Sequence, residues 1–311
     1  MPSCYLTLGG RSTIYSNYYY PDSYDSEVGV FSSADGVSDW QYHGIVVHRG
    51  PAGAWDAGGI ASPGVTVAAD GTVLLGYAAE PKDGGAGNRG IGVATASHPL
   101  GPFTKEEQPA ALAICGGTGR CDDVIMQAVV GRTGSASDTV HLYHSLKGSS
   151  TIAGCAPPVA RNCIRHLTSI DNGATWEDQG VVLSRNGTME TIAGKWFPAS
   201  HSGTGVDVGR MVLVTDGGGE PGEPNGGLTP FYSEDFHMFA ATDPAAVTAH
   251  PPLGKRPGDW ANLQIAFLPD REGRVRHISY TLYTKQQVYS AHHKSMDRGY
   301  THTVYSLSLA V

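Results

Sequence analysis

Short apolar runs broken by Gly, Asp, Asn and Ser recur along the whole chain, and none carries helical spacing over a dozen residues. The clearest set lies between Trp55 and Phe103. Ser62 to Ala68 and Thr72 to Ala79 are β-rich runs joined by Asp70-Gly71, a hairpin turn signal, and Gly90 to Ala96 is a third run. Residues 4 to 48 hold CYLTL, STIYSNYYY, EVGVFSS and WQYHGIVV. Residues 122 to 183 hold VIMQAVV, TVHLYHSL, IRHLTSI and TWEDQGVVL. Residues 190 to 247 continue with KWFPAS, RMVLVTD and TPFYSEDFHMF, and residues 259 to 309 with LQIAFLP, VRHISYTLY, QVYSAHH and HTVYSLSLAV.

Five such units predict an all-β fold, a five-bladed β-propeller of four-stranded antiparallel blades, in which radial repetition hides most strand edges. No Pro/Ser-rich linker or charge block divides the chain, so residues 1–311 read as one domain. The best helical candidate, Glu106 to Ala113, is short and contains Pro109.

Composition agrees with this pattern. Forty-two glycines, fifteen tyrosines and 16% charged residues suit a turn-rich β protein. The formal charge of −8 argues against a nucleic-acid partner, which asks for basic patches. No apolar run approaches the roughly twenty residues that span a bilayer, so no membrane partner is expected. Of five cysteines, Cys115 and Cys121 flank GGTGR and Cys155 and Cys163 flank APPVARN. Two local disulfides with Cys4 left over is one reading, and free thiols in a cytosolic protein is the other. Neither spacing is that of a paired CxxC zinc site, so no metal ligands are assigned. Asn186-Gly187-Thr188 is a glycosylation sequon and points to secretion, although MPSCYLTLGG shows no signal peptide.

Two turns carry more information. SIDNGATW, Ser169 to Trp176, matches the Asp-box pattern Ser-x-Asp-x-Gly-x-Thr-Trp at every defined position, and SSADGVSDW is a looser cousin in the first unit. The physics of the box is structural. Its Asp binds turn amides, its Gly supplies positive φ and its Trp packs between strands, so Asp171 is expected to staple a blade and do no chemistry.

The acids that open the units are the chemical candidates. Asp56, Asp123 and Glu190 are 67 residues apart (123 − 56 and 190 − 123), and Asp259 follows at 69 (259 − 190). The start of each innermost strand of a propeller faces the central channel, so this spacing predicts converging carboxylates. Two such groups suit glycoside hydrolysis: one protonates the leaving oxygen, the other activates water or attacks the anomeric carbon. That chemistry needs no cofactor, and a structural calcium at the axis is left open. Trp55 and Trp196 neighbour the acids and could stack on a sugar as readily as fill a core. His201 could line the channel, and Arg89 and Arg256 could meet an acidic sugar. His292 and His293 point to opposite faces of a strand and so do not form a metal pair. The SHSG piece lacks the strand–turn–helix setting of a serine nucleophile.

The second unit, SPGVTVAADGTVLLGYAAEP through IGVATASHPLGPF, resembles the corresponding run of five-bladed glycosidases of families 43 and 117, and VGVFSSADGVSDWQYHGIVV resembles the edge of their first blade. The resemblance spans about residues 4 to 200. It implies a carbohydrate substrate, a plant or algal oligo- or polysaccharide, cleaved with inversion. It implies Glu190 as general acid and Asp123 as the carboxylate that orients substrate and tunes the acid, with Asp122 as rival. It puts Asp56 at a substrate-contact position; beside it, the residues themselves offer Asp56 as candidate base and Trp55, Asp122, Trp196, His201, Arg89 and Asp259 as substrate-binding residues. The general base of such enzymes opens the first blade; one interval before Asp56 falls at −11 (56 − 67), upstream of Met1. Two other readings stay open. A sialidase-like hydrolase would gather Arg89, Arg165 and Arg256 around a carboxylate, and a non-catalytic propeller would bind carbohydrate without turnover.

Overall fold

The computed structural model describes residues 3–8, 10–19, 26–35, 38–80, 90–107, 120–129, 138–147, 155, 162–185, 192–197, 210–217, 227–241, 263–269, 275–285 and 300–308. Among these residues the chain forms β-strands and no helix. The first sheet contains β1 (Ser3–Leu8), β2 (Arg11–Tyr19), β3 (Ser26–Ser33) and β4 (Gln41–Val47). The second contains β5 (Gly59–Val67), β6 (Val73–Glu80), β7 (Gly90–Ala96) and β8 (Thr104–Lys105). The third contains β9 (Arg120–Val129), β10 (Thr139–Lys147), β11 (Asn162–Ser169) and β12 (Glu177–Arg185). The fourth contains β13 (Ile192–Phe197), β14 (Arg210–Gly217), β15 (Gly227–Ser233) and β16 (Ala240–Ala241). A fifth contains β17 (Leu263–Pro269), β18 (Val275–Lys285) and β19 (Tyr300–Ser308). Every sheet is an antiparallel meander with strands in chain order.

The first strands of successive sheets are neighbours: β1 meets β5, β5 meets β9, β9 meets β13, β13 meets β17 and β17 meets β1. Side chains stitch them together. Asn17 Oδ1 accepts the Ser62 N–H at 2.8 Å, Thr66 Oγ1 accepts the Ala128 N–H at 2.9 Å, and Gln127 Oε1 accepts the Trp196 N–H at 3.2 Å.

The core lies in the seams between sheets rather than inside any one of them. Successive residues of a strand face opposite ways, so the middle strands bury both faces and read as nearly unbroken apolar runs. In β10, Val140, Leu142 and Leu146 pack with Leu74, Ile91 and Val93 of the second sheet. Tyr143 of the same strand packs with Met211 and Leu213 of the fourth. A further cluster, around Tyr15, Val28, Leu75 and Tyr77, fills the seam between the first and second sheets. These contacts are close: a Cβ on Gly64 of β5 would stand 2.4 Å from the Val124 carbonyl oxygen of β9.

Cys155 and Cys163 form a disulfide with Cα atoms 5.7 Å apart, one of the two expected, and Cys4 is a free thiol. Cys115, the helical candidate beyond residue 107, the run QVYSAHH, the sequon at Asn186 and the His292-His293 pair lie outside the described residues.

Candidate functional site

In an antiparallel meander the first strand starts at one end of the sheet, and the turn joining third and fourth strands lies at the other. The two ends of these sheets carry different chemistry.

At the turn end, three sheets share one device. Ser33, Ser169 and Ser233 close the third strands of the first, third and fourth sheets, and each donates its hydroxyl to an Asp two residues on, Asp35, Asp171 or Asp235, at 2.8 Å. The same carboxylate oxygen then accepts a backbone N–H across the turn, from Ser38, Thr175 or Met238, again at 2.8 Å. Backbone donors and a hydroxyl favour the charged form. The Met238 N–H, with the His237 N–H, holds Asp235 down at about 2, and the Thr175 hydroxyl lowers Asp171. In the third sheet Gly173 has φ +92°, and Trp176 donates its ring N–H to the Gly173 carbonyl at 3.0 Å. Asp235 escaped the sequence reading because its turn, SEDFHMF, lacks the Gly and Trp; Ser-x-Asp after a third strand was the signal available.

At the other end the acids are not alike. Asp56 sits in the turn before β5, buried, and accepts a hydrogen bond from Lys105 Nζ of β8 at 2.6 Å. The chain closes in on one side, where a Cβ on Gly50 would lie 2.1 Å from its Oδ1. Trp55 stacks on Tyr77, with centroids 6.1 Å apart and planes at 14°, in the first–second seam. Asp56 is therefore bound to the last strand of its own sheet, a partner that nothing along the chain signals. A buried acid, Glu27 of β3, also lies at this end and accepts the Arg49 N–H at 3.2 Å, with His48 Nδ1 at the same distance. It too was missed, because it falls outside the 67-residue phase.

Asp122 and Asp123 lie on β9 itself. The register pairs His144 with Val124 and Ser145 with Asp122, so Asp123 is the extra residue of a β-bulge. Bulges interrupt the ladder and re-aim side chains, and they are common beside active sites. Asp123 thus lies inside its strand whereas Asp56 stands ahead of β5: equal spacing along the chain counts loop residues too, and loops differ in length. Glu190, His201, Arg89, Arg256 and Asp259 lie outside the described residues.

Three buried polar atoms around this end of the third and fourth sheets have no hydrogen-bond partner among the described residues: Ser145 Oγ, Thr215 Oγ1 and His144 Nε2. Burial, reinforced by the neighbouring Arg165, lowers His144 to about 4, so the ring is neutral at pH 7. Arg165 is gripped by Asp178 through Nε at 2.8 Å and Nη2 at 2.5 Å. It is not available to a sialidase-like arginine cluster. Deeper in the third–fourth seam His141 and His166 stack with a ring nitrogen contact of 2.9 Å, and Trp196 stacks on Phe236 at 4.6 Å. Desolvation also lowers His166 to about 4. Trp55 and Trp196 thus belong to different seams. Among the described residues no three His, Cys, Asp or Glu side chains converge as metal ligands.

No family profile matches the chain, and no curated protein matches it. Solved structures do. A thermostable family-43 glycoside hydrolase aligns with TM-score 0.57 and 15% identity, over 99% of this chain and 89% of that one. A family 117 glycoside hydrolase from the marine bacterium Zobellia galactanivorans aligns with TM-score 0.57 and 16% identity, over 99% of this chain and 84% of that one. An endo-arabinase from Bacteroides thetaiotaomicron VPI-5482 aligns with TM-score 0.56 and 12% identity, over 100% and 94%. At these identities the likeness is one of fold.

Proposed function

We propose that the protein is a secreted five-bladed β-propeller glycoside hydrolase acting on a plant or algal oligo- or polysaccharide. The observation that carries this reading is the fold shared with family-43 and family-117 glycoside hydrolases over 99% of the chain. Two features support it: the cyclic order of first strands and the bulge that presents Asp123 beside Asp122. Glu190 is the general acid, protonating the leaving oxygen, and Asp123 orients the sugar and tunes that acid. The mechanism is inverting, with water activated by a second carboxylate. Asp56 is the candidate base or sugar ligand, and its bond to Lys105 favours the ligand role. Trp55, Asp122, Trp196, His201, Arg89 and Asp259 contact the substrate. The turn of Ser169 to Trp176 is an Asp box that staples its blade, the chain is one domain, and no cofactor takes part; a structural calcium at the axis is compatible with this chemistry. The disulfide of Cys155 and Cys163 fits secretion.

The test is hydrolysis of arabinan, galactan and algal oligosaccharides by wild type and by Glu190→Gln. Removing a general acid is expected to slow turnover about 10²- to 10⁴-fold, and equal rates in the two proteins would sink the assignment. Engagement of Asp56 by Lys105 also favours a second reading, carbohydrate binding without turnover; calorimetric binding of an oligosaccharide with no product from any substrate would select it.

A further inference from the structure

The turn that follows β15 sends one ring inward. Phe236 is buried while its neighbours His237 and Met238 are exposed. Its ring lies between His141 of β10, with centroids 3.9 Å apart and planes at 11°, and Trp196 of β13, at 4.6 Å and 29°. Its carbonyl accepts the Tyr143 hydroxyl at 2.9 Å. The backbone at Phe236 has φ +69°, a left-handed conformation that a bulky residue seldom adopts and that persists only where the surroundings enforce it. The fourth sheet is thus docked on the third through a strained residue.

The slot that enforces this conformation rests on a histidine pair. In the β10–β11 ladder His141 stands opposite Thr168 and His166 opposite Tyr143, so the two histidines are diagonal neighbours, with Nδ1 and Nε2 2.9 Å apart. Two neutral imidazoles make this bond with one N–H and one lone pair. His166 Nδ1 is buried with no partner among the described residues. A buried bare acceptor costs less than a buried bare N–H. The tautomer that fits therefore has His166 donating through Nε2 to His141 Nδ1, with the Nδ1 lone pair of His166 left for an incoming proton. That proton would put an N–H and a charge where no described acceptor meets them. Burial, reinforced by His237 at 6.3 Å between centroids, holds His166 down at about 4.

Around the pair stand Tyr143 of β10, whose hydroxyl is given to Phe236, and Asp178 of β12, which favours charge on His166 but is gripped by Arg165. The turn adds Asp235 and His237. Arg165 and Lys195 each adjoin a seam residue, so they turn to the opposite faces of β11 and β13. Asp235 is held at about 2, so the bonds it accepts from the His237 and Met238 N–H groups outlast the neutral histidines in acid.

We propose that Phe236 is an acid-released latch: a proton taken up by His166 is met by solvent only when the stack opens, so acid frees the Ser233–Met238 turn from the third sheet. The device goes beyond the reaction assigned above and does not depend on it. The docked state needs the neutral pair, whereas the released state lets His166 take its proton at the ordinary histidine value. Between roughly pH 6.5 and 4 the released state gains up to about tenfold per pH unit over the docked one, and above that window the latch stays shut.

Amide hydrogen exchange, resolved by NMR between about pH 7 and 4.5 and corrected for the intrinsic effect of pH, tests this. Protection at Met238 is read against Leu74 and Leu75 of β6, which report global opening. In wild type the Met238 protection relative to that reference is expected to fall about 100-fold from pH 6.5 to 4.5. His166→Gln keeps a donor at the place of Nε2 and removes the titrating nitrogen, so its ratio should stay flat. His141→Phe combined with His166→Phe replaces both partners by rings of similar shape and should be flat as well. Phe236→Gly removes the plug and suits the positive φ, and should leave Met238 weakly protected at every pH. His237→Gln should keep the wild-type fall. A wild-type ratio that does not change, a loss shared equally by β6, or a fall that survives in His166→Gln overturns the latch. A fall abolished by His237→Gln does the same, since it moves the titrating group to the exposed ring.

Discussion

The two ends of the sheets solve opposite problems with the same residue types. At the turn end, Ser and Asp recur in three sheets with one geometry, and in each the Ser hydroxyl and one carboxylate oxygen are engaged in short local bonds. At the end where the first strands begin, the acids differ from sheet to sheet. One is clamped by a lysine, one rides on a bulge, and hydroxyls nearby stay buried without partners among the described residues. Repetition with full satisfaction is what stability asks for. Variation with polar groups left over is what a binding or reacting centre asks for, at a cost in stability. Among the described residues the contrast is between local satisfaction at one end and unmet hydrogen-bonding capacity at the other.

Breaking the comparison at its extremes gives the largest expected effect. Glu190→Gln should lower turnover by about 10²-fold or more, whereas Asp171→Ala should leave turnover per folded molecule unchanged. A loss of similar size in both would mean that the two ends are not functionally distinct. Next comes the clamp. Lys105→Met leaves the Asp56 carboxylate, 4% exposed, without its partner, and should destabilise the fold by about 3 kcal/mol. Adding Asp56→Leu should return most of that in denaturant melts; failure to recover would show that Asp56 does more than hold its loop.

A smaller effect depends on pH. His144 and His166 are held near 4, below the ordinary histidine value of the unfolded chain, so between roughly pH 6.5 and 4 the unfolded state binds more protons. Stability is therefore present in full above that window and drains away as pH falls through it, by at most about 1.4 kcal/mol per pH unit for each ring. His144→Leu should flatten the slope in melts at pH 4.5 to 7, and an unchanged slope would remove His144 from the account. The smallest effect is at the turns. Asp35→Ala, Asp171→Ala and Asp235→Ala should each cost about 1 kcal/mol, with Asp235 and Asp171 contributing above the usual carboxylate range and fading as pH drops below 4. Unequal losses would show that the three turns share geometry but not energetics.

Much of the architecture was legible because strands and turns are local. Asp70-Gly71 joins β5 to β6 as expected, and the runs around Leu74, Val93 and Leu142 became strands. The pairing of Cys155 with Cys163 was readable for the same reason: eight residues separate them, so few arrangements compete. The site was legible only in part. The sequence pointed to Asp123 through a 67-residue phase, yet the bulge beneath it is visible only in the register with β10. Lys105, Ser145 and Thr215 were passed over, since a lysine after a proline-rich turn and a hydroxyl at a strand end look ordinary without their neighbours.

The division follows from the range of the forces. The sequence by itself determined the β class, the order of the apolar runs and two of the three Ser-x-Asp turns, and offered the Cys155–Cys163 bridge as one of two readings, all consequences of backbone preferences and side chains within a few residues. Only the tertiary structure decided that Asp56 meets Lys105, that Trp55 and Trp196 belong to separate seams, and that Ser145 and Thr215 are stripped of water with no partner among the described residues. Each of these depends on which residues a second strand or sheet brings within about 3 to 6 Å. Composition and spacing along one chain do not encode that distance.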